Sequence, residues 1–168
     1  MASARPRKEG FRREEKEVIS QGAPVDYSFR SIQSLNELEK DRPRAYRVRL
    51  TPTRAESLKY LTRSIWLNNN GLANLQGFDK LVTSKLEQPS VLAWIDVSYN
   101  NLANVPDEFV NYPNLRILYM HANCINSLIS IEKLRKLNHL LTITFHGNPI
   151  ESIPSYRSHI IHIAATDT

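Results

Sequence analysis

Cysteine is nearly missing from this chain: its one thiol, Cys124, can form no internal disulfide, so packing and hydrogen bonds must hold the fold. Long apolar runs are missing as well, and no stretch reaches the roughly 18 residues that a membrane-crossing helix needs. The N-terminal RPRKEGFRREEKE lacks the apolar middle of a signal peptide. The expected location is therefore cytoplasmic, free or on an intracellular assembly. No phosphate loop, nucleophile with an adjacent base or pair of catalytic carboxylates can be found, which argues against an enzyme and against a bound cofactor.

What is present is 41% apolar residues in a chain of 168, enough for one domain with a sizeable core plus a tail. The charge is unevenly placed. The net +5 sits in the first 60 residues, with 14 Lys and Arg against 9 Asp and Glu, whereas residues 61–168 balance at 8 to 8.

The segments LAWIDVSYNNL (92–102) and LRILYMHANCI (115–125) both fit L-x-x-L-x-L-x-x-N-x-L, the signature of a leucine-rich repeat. TRSIWLNNNGL (62–72, with Thr62 for the first Leu) and LLTITFHGNPI (140–150) are two further copies. The template residues Asn70, Asn100, Asn123 and Asn148 are 30, 23 and 25 residues apart, so the first interval carries an insertion. One repeat cannot bury its own apolar residues, but stacked coils can, as when Ile95, Val97 and Leu102 meet Leu118, Met120 and Ile125. The expected fold is an α/β leucine-rich repeat solenoid, with short parallel strands on the concave face and helices and turns on the convex face. The four asparagines are expected to form a structural ladder, their amides pairing backbone groups that the turn would otherwise bury unpaired. Secreted repeat domains usually carry cysteine-rich caps, and none is present here.

Residues 1–54 read as a basic, largely extended N-terminal arm, residues 55–163 as the repeat domain with about four repeats, and 164–168 as a tail. The first 24 residues, interrupted by Pro6, Gly10, Gly22 and Pro24, suit an arm for an acidic surface, with room for one marginal helix from Phe11 to Ile19. VDYSFRSI (25–32) is too apolar to stay in water; its Tyr27, Phe29 and Ile32 form a latch for the first coil or for a partner. Leu35 and Leu38 mark one helical turn ended by Pro43, and residues 54–61 a short capping helix. Phe78, Leu81, Val82 and Leu86 have helical spacing, predicting an amphipathic helix in the insertion, capped at Asp79 or nearby and stopped before Pro89. Residues 104–113 form a shorter convex segment, and Leu128, Ile131, Leu134 and Leu137 recur every three residues, suiting a tight helical or 3₁₀ turn. Tyr156, Arg157, Ile160, Ile161 and Ile163 resemble the helical cap of intracellular repeat domains. The short strand that usually follows such a cap is missing, which suggests a shortened isoform or a covering partner chain.

Parallel strands about 4.8 Å apart stack equivalent template positions into columns on the concave face. The third-position column is Ser64, Trp94, Ile117, Thr142; the fifth is Trp66, Asp96, Tyr119, Thr144; the seventh is Asn68, Ser98, His121, His146. Arg63 and Arg116 border them and Tyr99 lies at the rim. Solvent-facing Trp66, Trp94 and Tyr119 beside arginine have the composition of an interface anchor, unless VDYSFRSI folds over them. The candidate partner-binding residues are therefore Arg63, Trp66, Trp94, Asp96, Tyr99, Arg116, Tyr119 and His121. His121 and His146 share a column, yet no third ligand completes a metal site, and His159 and His162 on the cap helix have no partner.

VDYSFRSI, SIWLNNNGLANLQGFDKLV, LAWIDVSYNNL and FHGNPIE followed by Tyr156 and Arg157 resemble the leucine-rich repeat-containing protein 51 family, small intracellular proteins associated with ciliated tissues. The resemblance spans Pro24 to Tyr156. It implies a non-catalytic adaptor within the ciliary or flagellar axoneme, its partners being axonemal proteins or tubulin rather than a small molecule or a membrane. A soluble regulatory subunit of a cytosolic enzyme such as a protein phosphatase is the rival reading. A nucleic-acid binder is disfavoured by the charge balance of the repeats.

Overall fold

The computed structural model describes residues 23–44 and 59–164. Among these, five strands form one parallel sheet in chain order: β1 (Val25–Asp26), β2 (Ser64–Trp66), β3 (Trp94–Asp96), β4 (Ile117–Tyr119) and β5 (Thr142–Thr144). The register runs without slip through Val25, Ile65, Ile95, Leu118 and Ile143. A slip of one residue would turn this apolar row out of the core. Val25, Ile65, Ile95 and Leu118 are fully buried, and Ile143, at the far end, only partly. This is the solenoid that the repeats predict.

The four asparagines stitch each coil to the one before it. Asn100 Nδ2 donates to Leu67 O at 3.0 Å in the preceding coil and to Val97 O at 3.1 Å in its own, while its Oδ1 accepts from Leu72 N at 3.1 Å. Asn123 and Asn148 repeat this with Val97 O and Leu102 N, and with Met120 O and Ile125 N. Asn70 does the same to VDYSFRSI, donating to Tyr27 O at 3.0 Å and accepting from Arg30 N at 2.9 Å and Ile32 N at 3.3 Å.

VDYSFRSI is thus a coil in its own right. It takes the first of its two expected destinations, pairing along the β2 edge, and it does not lie over the concave face. Among the described residues the sheet accordingly begins at Val25, inside the stretch expected to be arm. Tyr27 and Ile32 enter the core, whereas Phe29 is 61% exposed. The coil is held from behind by Lys85, whose buried Nζ donates to Glu39 O at 3.2 Å and Asp41 O at 2.9 Å. The 3₁₀ turn Leu35–Leu38 is set by a capping box in which Glu37 Oε1 accepts from Ser34 N at 2.9 Å. The arm of residues 1–22, with the helix expected at Phe11 to Ile19, lies outside the described residues, as does most of the capping helix expected at 54–61. At the described end of that segment, Tyr60 forms a parallel bridge with Leu86.

On the convex side, helix α1 (Phe78–Lys85) buries Phe78, Leu81 and Val82 as its spacing predicts. Its N-cap is Gly77, at φ 87°, rather than Asp79. The Asp79 carboxylate instead accepts from Tyr112 Oη at 2.6 Å and Asn111 Nδ2 at 3.0 Å, tying α1 to the next convex segment, which contains the 3₁₀ helix Asp107–Asn111. Helix α2 (Leu128–Glu132) tightens into 3₁₀ over Lys133–Lys136. Helix α3 (Tyr156–Ala164) closes the last described coil with Ile163 buried, and leaves Arg157 and Ile161 exposed.

Candidate functional site: the concave aromatic face

The concave face presents rings in mutual contact. Trp66 meets Trp94 edge-on with centroids 5.0 Å apart, and Trp94 meets Tyr119 in the same way at 5.9 Å. Tyr119 touches His121 at 6.1 Å, and His121 stacks flat on His146 at 4.4 Å. Tyr99 stands edge-on to His121 at 5.3 Å. Edge contacts of this kind contribute about 0.5–1.5 kcal/mol each beyond area burial, so the rings arrive pre-arranged. Below them Ile117 and Ala93 are buried and form a small apolar cluster with Trp94 and Tyr119. Ile117 therefore belongs to the floor of the face rather than to its accessible surface. Trp66, Trp94 and Tyr119 are half-buried, and Tyr99 and His146 are exposed.

Polar groups are threaded among the rings. Asp96 Oδ1 accepts from Ser98 N at 3.0 Å and Ser98 Oγ at 2.6 Å, and burial raises the carboxyl pKa above its ordinary value. His121 lies 2.9 Å through Nδ1 from Thr144 Oγ1. Burial, and secondarily the neighbouring His146, lower the His121 pKa below its ordinary value. Among the described residues, Trp94 Nε1 and Asn68 Oδ1 are buried without a hydrogen-bond partner.

Lone pairs of imidazole nitrogens lie in the ring plane, so the parallel rings of His121 and His146, only 10° apart in tilt, cannot converge on one ion. No group of three metal-binding side chains occurs among the described residues. Arg63 and Arg116 are half-buried at the start of β2 and β4, away from Tyr99 and the histidines, which follow the strand ends.

One residue of this surface went unread in the sequence. Asp26 precedes Asp96 in the fifth-position column, fully buried, with its Oδ1 accepting from Ser28 N at 2.6 Å. The signal was available as a recurrence of D-x-S-aromatic in VDYSF and IDVSY. On the other side of the coils a groove of about 670 Å³ is lined by Leu75, Val105, Ile129 and Lys133 among others. No helix among the described residues is long and apolar enough to cross a membrane.

No family model matches the chain. Leucine-rich repeat-containing protein 51 of Bos taurus is 42% identical over 152 residues, covering 88% of this chain and 78% of that protein. The Homo sapiens protein of the same name is 42% identical over 142 residues, with 84% and 72% covered. Among solved structures, a chain of the Drosophila melanogaster SNF/U2A′ complex superposes with a TM-score of 0.53 at 18% identity, covering 89% of this chain and 78% of that one, a likeness of fold alone. Taken with the five-strand solenoid and its asparagine ladder, the identity to these relatives shows that the chain belongs to the leucine-rich repeat-containing protein 51 family and has the architecture of a protein–protein interaction scaffold.

Proposed function

We propose that this protein is a non-catalytic scaffold of the ciliary or flagellar axoneme. The concave face seats one protein partner, and the basic excess of the first 60 residues supplies attachment to tubulin or neighbouring axonemal proteins. The observation that carries the docking face is the run of contacting rings from Trp66 to His146, open to solvent along one side, with Trp94 Nε1 and Asn68 Oδ1 still to be satisfied. Aromatic residues pre-arranged in this way anchor interfaces, because they bury large areas while giving up little side-chain freedom. The axonemal assignment draws on the family resemblance and on the charge asymmetry, since tubulin is an acidic surface that a basic segment engages in a salt-dependent way.

The test is co-sedimentation of the full chain with stabilised microtubules across a salt series. Charge reversal at Lys8, Arg12 and Arg13 is preferable to truncation, because a chain starting at residue 55 would lack β1. Pelleting should fall steeply with salt and be lost on charge reversal, while Trp94→Ala pellets normally and loses the concave-face partner. If no form of the protein pellets at any salt concentration, direct attachment to tubulin is wrong. Retention of the partner by the charge-reversed protein would then favour a soluble regulatory subunit.

A further inference from the structure

One five-residue pattern occurs twice in the chain, VDYSF at 25–29 and IDVSY at 95–99, and both copies fold alike. In each, the aspartate Oδ1 accepts the N–H of the serine two residues on, at 2.6 Å for Asp26 and 3.0 Å for Asp96. The aromatic residue that follows turns into the left-handed region, φ 54° at Phe29 and 53° at Tyr99. The equivalent stretches of the other coils, IWLNN, LYMHA and ITFHG, do not combine an acid with an aromatic in these places.

The aromatic ring of the first copy is covered from within the chain. The Arg44 guanidinium lies over the Phe29 ring, 5.6 Å from its centroid, and its Nη2 donates to Phe29 O at 3.1 Å. The Arg44 backbone N–H donates to Asp26 O at 2.8 Å. The second copy has no such cation: among the described residues, no lysine or arginine pairs with Asp96 or lies over Tyr99. Tyr99 is 54% exposed, and Asp96 is half-buried. A desolvated carboxylate without a counter-charge and a bulky side chain in the left-handed region are both unfavourable in isolation. The neighbouring His121, edge-on to Tyr99, interacts electrostatically with Asp96, but burial and His146 lower its pKa and so disfavour its charged form.

Resting on the concave face as the docking surface, we infer that Asp96, Ser98 and Tyr99 receive an arginine side chain of the protein partner. The arginine stacks on the open face of Tyr99, as Arg44 does on Phe29, and its charge is met by Asp96. Arginine is favoured over lysine because its planar, weakly hydrated guanidinium stacks on a ring and donates in the same geometry.

The probe is a phage-displayed random peptide library panned on the full-length protein, with selected peptides then synthesised carrying arginine, lysine or the neutral isostere citrulline. The selected sequences are expected to share an arginine, and its exchange for citrulline to weaken binding roughly tenfold or more. Asp96→Asn and Tyr99→Ala should each erase the difference between arginine and citrulline, which a double-mutant cycle reads directly. Tyr99 is exposed, so its variant keeps the test sound even if Asp96→Asn disturbs folding. Peptides lost on Trp94→Ala but indifferent to citrulline would overturn the arginine site and leave the docking face standing. Peptides that bind Trp94→Ala as tightly as the unaltered protein, or a library that yields no binder, would overturn both.

Discussion

At the scale of single residues, the asparagines carry the fold. Asn123 is 6% exposed and bonds Val97 O, Met120 O and Leu102 N across two coils. Asn123→Ala strands those buried groups and should lower unfolding free energy by about 2–4 kcal/mol in urea titrations, whereas Asn101→Ala, on the exposed neighbour, should cost less than about 0.5 kcal/mol. The same bonds explain why the template missed one coil. Each asparagine stitches backwards, and among the described residues no coil precedes the first to be stitched to. Arg30 stands where the asparagine would be, and its N–H is received by Asn70. A second residue-scale outcome concerns pH. Burial and His146 hold the His121 pKa below 6.5, so the unfolded chain takes up that proton first as pH falls. Stability from this group is complete above the unfolded value and declines as pH drops below it. Asp96, with a raised pKa, acts in the opposite sense by taking up its proton first in the folded state. Urea midpoints at about pH 7.5 and 5.5 should therefore separate more for the unaltered protein than for His121→Asn.

At the scale of elements, the contact most worth testing is the one between helix α1 and the first coil. Lys85 was legible only as the last polar residue before Leu86 in an amphipathic pattern; nothing in that spacing shows that its amine reaches back to Glu39 and Asp41. Such long-range pairing of a helix end with a loop 44 residues earlier is invisible to periodicity. Lys85→Met keeps the buried stem and removes the donor. Amide exchange should then quicken at Val25 to Tyr27, by the equivalent of roughly 1–3 kcal/mol in local opening, with β3 and β4 unchanged. The cap of α1 lies just before Asp79 for a related reason. Asp79 has the composition of a cap, but its carboxylate is drawn to Tyr112 and Asn111, and Gly77 begins the helix through a backbone conformation that side-chain preferences do not register.

At the scale of the whole molecule, stability is a chain of neighbour contacts and is unequal along it. Ile95, between two flanking coils, is fully buried, while Ile143 on the last described strand is not. Ile95→Ala should cost about 2–5 kcal/mol and Ile143→Ala clearly less, as read from denaturant midpoints. The repeat template makes the architecture legible because one pattern sets strand, core and turn together. The concave rings were legible as columns, but their contacts and the role of Asp26 required the fold. The turn out of each strand has a further consequence. Phe29, Asn69, Tyr99, Ala122 and Gly147 occupy one template position, all with positive φ, and only glycine adopts that conformation freely. Tyr99→Gly should relieve about 1 kcal/mol of strain, partly offset by the greater freedom of the unfolded chain, while removing the ring from the rim. Thermal stability would then hold or rise as peptide binding falls, so a screen for robustness alone would select against recognition at this rim.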